Sequence, residues 1–272
     1  MLTRIVVGLA FAVVYIAVLF FLPPAYLTVA LAFVAAMASY EVLRAVKAAP
    51  FRHMYLFTAV AAAAIPVSYY FGIGGIMTQG AAIALMAALF FNAVFRYGTP
   101  GEVRYEQILV CLFSGILVPA CLATLVQLRV MEHGRFLVML PVICASLTDV
   151  GAYFIGMFFG RHRGVTKVSP NKSVEGFLGG IVFGCFFMML YAYLLQRFGG
   201  LEVSYVRMAL YGVVGSAITE LGDLSFSLIK RQTGIKDYGK LMPGHGGMMD
   251  RFDSTVFSGP AILLLVWLLP AF

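Results

Sequence analysis

"VEGFLGGIVFGCFFMMLYAYLLQ", Val174 to Gln196, decides the fold. From Gly176 to its end it carries no charged side chain. A helix rises about 1.5 Å per residue, so roughly 20 apolar residues cover the ~30 Å hydrocarbon core of a bilayer. Stretches of the same kind recur at 3–22, 25–43, 53–73, 78–96, 106–128, 136–159, 206–229 and 254–271. The expected fold is therefore an all-α polytopic membrane protein with about nine transmembrane helices. Composition agrees: 62% of the 272 residues are hydrophobic and 11% charged, with a mean hydropathy of +0.95. Soluble domains carry roughly a quarter charged residues.

The breaks between these stretches are short. "LPPAY" (Leu22 to Tyr26) is a turn in which one proline ends a helix and the next begins another. "GIGGIMTQG" (Gly72 to Gly80) is flexible and uncharged. Neither houses a soluble domain, so 1–272 reads as one integral membrane domain, with N-terminal hydrophobic helices over 1–135 and a second half over 136–272 that carries two polar loops. Met1 to Leu22 has Arg4 and an apolar run but no clear small-residue cleavage site, and reads as the first helix rather than a signal peptide. Cys111, Cys121, Cys144 and Cys185 lie in apolar segments without metal-ligand spacing and read as small buried hydrophobes.

Lys and Arg set the orientation. With the N-terminus in the cytoplasm, fifteen of the 19 cations fall inside, and only Arg129, Arg135, Arg197 and Arg207 fall outside. This predicts N-in, C-out. It also accounts for most of the net charge of +7, so no nucleic-acid partner is needed.

The positive-inside rule does not account for the acids. Asp149, Glu220 and Asp223 sit inside predicted spans. A carboxylate there costs roughly 2.5–3.5 kcal/mol on insertion scales, so it faces a polar interior, either in a functional site or in a structural ion pair. Glu220, Asp223 and Ser227 share one helical face. Asp223 and Asp149 both lie some turns below the cytoplasmic end.

Two polar loops face that same side. "GRHRGVTKVSPNKSVEG" (Gly160 to Gly176) holds four cations with Ser169, Asn171 and Ser173. "KRQTGIKDYGKLMPGHGGMMDRFD" (Lys230 to Asp253) adds Lys and Arg for anionic oxygens, and Asp250 and Asp253 as hard oxygen ligands. Its glycines, Gly246 and Gly247 among them, let backbone N–H groups approach phosphates as an anion nest. There is no G-x-x-x-x-G-K-[ST], which excludes a P-loop, and His245 has no second His or Cys at zinc spacing. Carboxylates beside cations and flexible glycine point to a metal-bound polyphosphate at a membrane surface. Mg²⁺ takes one or two protein carboxylates and fills its shell with phosphate and water. Phosphoryl-type transfer needs positioning and charge neutralisation, and no protein nucleophile if the acceptor is itself a phosphate.

The 27-residue run S-L-I-K-R-x(4)-K-D-x-G-x(2)-M-P-G-H-G-G-M-x-D-R-F-D, Ser227 to Asp253, resembles the signature of the phosphatidate cytidylyltransferase (CDP-diacylglycerol synthase) family. "SPNKSVEG" (Ser169 to Gly176) and "TELGDLSFSLIKR" (Thr219 to Arg231) resemble two further motifs. The specific motifs cover the C-terminal half; the first 140 residues match only in being hydrophobic. The resemblance implies transfer of CMP from CTP to phosphatidic acid, giving CDP-diacylglycerol and pyrophosphate, with Mg²⁺ and an open question of a second, monovalent cation. It implies that Asp223 and Asp250 hold the metal with Asp253 as a helper. It casts Lys230, Arg231, Lys236, Arg251 and Lys172 as phosphate binders. Ser169, Asn171 and His245 would orient oxygens or contact the nucleotide. It further implies a multi-pass protein of the cell's inner membrane with its site at the cytoplasmic face, and a homodimer. The small-residue stripe Gly176, Gly180, Gly184 would serve that dimer contact or, equally, an intramolecular one. Two rivals stay open: a related CTP-dependent lipid enzyme (polyprenol or phytol kinase, or archaeal-lipid cytidylyltransferase), and a transporter of a phosphorylated solute.

Overall fold

The protein is seen in a computed structural model that describes residues 12–47, 51–164, 166–239, 241 and 246–272. Every regular element among the described residues is helical. Helix α1 covers residues 12–20, followed by α2 (Pro24–Val46), α3 (Arg52–Tyr70) and α4 (Gly74–Arg96). Next come α5 (Tyr105–Leu112), α6 (Val118–Val130), a single turn α7 (Gly134–Leu137) and α8 (Met139–Phe159). The last three are α9 (Val174–Phe198), α10 (Tyr205–Gln232) and α11 (Met249–Leu268). Seven helical segments among the described residues are long and apolar enough to cross a membrane; α3 is not one of them. The chain is thus a polytopic, all-helical membrane protein.

Local sequence explains the helix boundaries. Pro24 stands at the first position of α2, where its missing N–H is no loss. α5 and α6 form one span, joined by a π-helical turn at Phe113–Leu117 just ahead of Pro119. A proline clashes with the carbonyl four residues back, and the widened turn accommodates this without breaking the span. Ser173 caps α9 by accepting a hydrogen bond from the Gly176 N–H at 3.0 Å.

The helices pack into two units. The first comprises Met1–Arg135 and Thr233–Phe252, the second Phe136–Gln232 and Asp253–Phe272. The first has a core of Leu43, Met54, Leu85, Leu89, Ile108 and Cys111, all buried. At Gly115 an added Cβ would lie 2.5 Å from Thr58, so α3 packs directly on the π-helical turn.

The second unit packs through small residues, as helices in lipid do. A Cβ on Gly176 would lie 2.9 Å from the Ala152 carbonyl, and one on Gly180 3.0 Å from both Glu220 and the Thr148 carbonyl. One on Gly184 would collide with Ser216. The stripe on α9 is therefore occupied within its own unit, by α8 on one side and α10 on the other. Thr148 donates to Ser216 at 2.7 Å across the same seam.

Two boundaries differ from the sequence reading. α4 begins at Gly74, so most of residues 72–80, read as a flexible break before a span at 78–96, is helical. Glycine lowers helix propensity without forbidding it. The last helix begins at Met249, not at 254, so Asp250 and Arg251 lie in its first turn rather than in a loop. The cause is a long-range cap: the Glu41 carboxylate on α2 accepts from the backbone N–H groups of Met248 (3.0 Å) and Met249 (2.8 Å). These are donors that a helix start cannot satisfy internally.

Candidate active site

In the second unit a pocket of about 440 Å³ opens between α8, the loop 160–173, α9 and α10. Helix periodicity aims Glu220 and Asp223 from α10 and Asp149 from α8 at the same space. The loop delivers Arg163, Asn171 and Lys172 to it. That loop is pinned by a β-bridge between Arg163 and Ser173 and by the Val174 N–H donating to the His162 carbonyl at 3.1 Å.

At the centre, the Lys172 ammonium lies 2.5 Å from Glu220 Oε2 and 2.7 Å from Asp223 Oδ2. Glu220 is fully buried, while the Asp223 side chain keeps 27% of its surface exposed. Burial works to lower the Lys172 pKa, but the Asp223 and Glu220 carboxylates together outweigh it and raise the group above the ordinary lysine value. Glu220 Oε1 is buried without a hydrogen-bond partner among the described residues. Among the described residues no group of three His, Cys, Asp or Glu side chains is disposed to hold a metal alone.

The remaining residues singled out in the sequence lie elsewhere in their units. In the second unit, Lys230 pairs with Asp253 at 3.8 Å, both side chains largely buried. Arg231 is exposed and donates to the Val168 carbonyl at 3.3 Å. Ser169 does not line the pocket; its carbonyl accepts from the Lys172 N–H at 3.1 Å in the turn that presents Lys172. In the first unit, Asp250 Oδ2 accepts from the backbone N–H groups of Tyr238 (2.8 Å) and Gly247 (2.9 Å). Gly246 adopts φ +81°, a left-handed conformation suited to glycine. Lys236 and Arg251 are exposed. His245 lies outside the described residues.

Two features escaped the sequence reading. Glu41 is a further acid within an apolar helix, 4% exposed; it lies inside the predicted 25–43 span but is not among the acids singled out from the sequence. The insertion-cost argument applied to Asp149 and Glu220 is the signal that finds it. Arg163 counts in the sequence only as one loop cation, but the β-bridge puts it on the pocket wall.

The profile of the Cytidylyltransferase family matches residues 2–269. The chain belongs to the cytidylyltransferase family. A protein of Mycobacterium bovis named phosphatidate cytidylyltransferase is 34% identical over 98% of this chain and 88% of its own length. One of the same name from Bacillus subtilis is 32% identical over 60% of this chain and 59% of its own. Another, from Staphylococcus epidermidis, is 38% identical over half of each chain. The family makes this protein a CTP-using nucleotidyltransferase. Its pocket brings charged side chains together among apolar helices.

Proposed function

We propose that the protein is a phosphatidate cytidylyltransferase, and that the pocket around Lys172 is where CMP passes from CTP to phosphatidic acid. The observation that carries this is a lysine held between two acids, one buried and one facing a pocket with Arg163 and Asn171, in a chain of this family. A phosphate oxygen of the lipid forms a bond to the α-phosphorus of CTP. The bond from that phosphorus to its bridging oxygen breaks, and the electron pair leaves with pyrophosphate. The products are CDP-diacylglycerol and pyrophosphate, and no protein nucleophile takes part. Lys172 and Arg163 neutralise phosphate charge, and Asn171 orients phosphate oxygens. Lys230 and Arg231, with Lys236, Arg251, Ser169, His245 and the Gly246–Gly247 backbone, are proposed as further phosphate and nucleotide contacts on the strength of the signature.

The donor set suits Mg²⁺, a hard cation that takes few carboxylates. Asp223 faces the pocket, and the unpartnered Glu220 oxygen adds a second hard donor. Asp250 and Asp253 join as proposed ligands from their places in the signature. When bound, the metal supplies Lewis-acid charge stabilisation at the phosphates.

Finer features of this reading are nine spans, an N-in and C-out orientation, an inner-membrane location with a cytoplasmic site, and a homodimer. They are supported by the distribution of Lys and Arg, by the further helical stretches α1 and α3 beside the seven clear spans, and by the family resemblance. Because the Gly176–Gly184 stripe is filled from within, a dimer uses another surface. A cysteine at Arg163 should react with an impermeant thiol reagent only from the cytoplasmic side, and one at Arg197 only from outside; the reverse pattern overturns the orientation.

The activity is tested with purified protein, CTP, phosphatidic acid and Mg²⁺. CDP-diacylglycerol and pyrophosphate should form in equal amounts. Consumption of CTP with a polyprenol or phytol as the only accepted acceptor would favour the related kinases. Failure to release pyrophosphate in detergent micelles would favour a transporter.

A further inference from the structure

Beside the polar pocket lies a second cavity of about 280 Å³ with an almost entirely apolar wall. The two share three residues, Lys172, Ser173 and Phe177. Beyond these, the second cavity is walled by Val174, Leu224 and, at one side, Thr166. Leu224 follows Asp223 on α10, and consecutive helical residues point about 100° apart. One α10 position therefore faces the charged pocket and the next faces the apolar one, with Lys172 standing where the two meet.

We propose that this apolar cavity takes the start of one acyl chain of phosphatidic acid, while the lipid phosphate is held at Lys172. The inference rests on the phosphatidate reading above and assigns the acceptor's place within it. The argument is complementarity along an amphiphile. The occupant must carry an anion at one end, to meet the Lys172 ammonium, and a hydrocarbon at the other, to lie along Phe177, Val174 and Leu224. A nucleotide has no such apolar end. At the roughly 30 Å³ that a water-sized group takes in a liquid, the cavity suits part of one chain and is too small for two. A chain already dissolved in a bilayer gains little from leaving one apolar medium for another, so the cavity contributes position more than affinity. It brings the lipid phosphate to one side of Lys172 and leaves the 440 Å³ polar pocket to the nucleotide.

The test fills the cavity with bulk. Leu224→Trp should raise KM for dioleoyl phosphatidic acid about tenfold or more, the scale on which a pocket discriminates by added carbon. KM for CTP should stay within about twofold, a difference small against that discrimination. Turnover of dibutyryl phosphatidic acid, whose chains are too short to be held by the far wall, should fall much less. Val174→Trp is the second variant: Val174 is 39% exposed, so added bulk at the rim has room without disturbing the fold. Unchanged KM for the long-chain lipid in both variants overturns the proposal, as does an equal loss for long-chain lipid, short-chain lipid and CTP. Absence of CDP-diacylglycerol from the wild-type protein would instead overturn the phosphatidate reading, and this inference with it.

Discussion

Glu41 and Glu220 are both buried glutamates on apolar helices, one in each unit, and they are held by opposite means. Glu41 accepts from two backbone N–H groups, and the backbone at Gly239 and Gly247 presses so close that a Cβ on either would collide with its carboxylate. Glu220 is held by a lysine side chain, shared with Asp223, at the wall of a pocket. A backbone donor cannot leave without unfolding the turn that carries it. A lysine has four rotatable bonds and can exchange one anion for another. The first arrangement acts as a rivet, and the second leaves room for exchange. Among the signature acids, Asp250 Oδ2 accepts from backbone N–H groups, which fixes the side chain, whereas Asp223 faces the pocket.

The largest effect should come from the exchangeable cation. Lys172→Met removes the charge proposed to meet phosphate and leaves Glu220 and Asp223 without their shared cation. Initial rates of CDP-diacylglycerol formation should fall roughly 10²–10³-fold, the range seen when one donor to a developing charge is lost. A loss of only a few fold would place the chemistry elsewhere.

The rivet should show itself in stability. Glu41→Ala leaves two buried N–H groups unpaired, at about 1–3 kcal/mol each. Thermal unfolding in detergent should move down accordingly, and Glu41→Gln, which keeps one acceptor oxygen, should lose about half as much. An unchanged melting temperature in the alanine variant would mean that Met248 and Met249 find other acceptors.

A smaller effect is expected at alkaline pH. The folded-state pKa of Lys172 is raised, so the stability it contributes is fully present below its ordinary value of about 10.4. That stability is lost as pH rises through the raised value. The difference in melting temperature between wild type and Lys172→Met should therefore hold through neutral pH and shrink only at the alkaline extreme. Shrinkage as pH falls from neutral toward 5 would mean that loss of carboxylate charge dominates the pair.

The membrane class was legible because bilayer thickness imposes a length of apolar sequence that each span must display on its own. Glu220 and Asp223 were legible as a pair from their spacing on one helical face. Glu41 was not, because it acts on Met248 and Met249, more than 200 residues away, and no local pattern records a cap supplied from so far. The same long-range cap explains why the start of α11 was placed too late: "MDRFD" is polar, and its helical state depends on Glu41. The glycine stripe announced a close approach without naming the neighbour. Only the packing of α8 and α10 against Gly176, Gly180 and Gly184 assigns it.

The central claim is that Asp223 serves the reaction and not the fold. It is tested most directly by Asp223→Asn, with CDP-diacylglycerol formation and thermal unfolding measured side by side, with and without Mg²⁺. The variant keeps the size and hydrogen bonding of the side chain and removes its charge. Turnover should fall at least about 10²-fold, roughly 2.7 kcal/mol. The melting temperature without Mg²⁺ should stay close to wild type, and the Mg²⁺-induced rise expected of the wild type should disappear. Near-normal turnover with the Mg²⁺ shift intact, or a loss of activity matched by unfolding, would contradict the account.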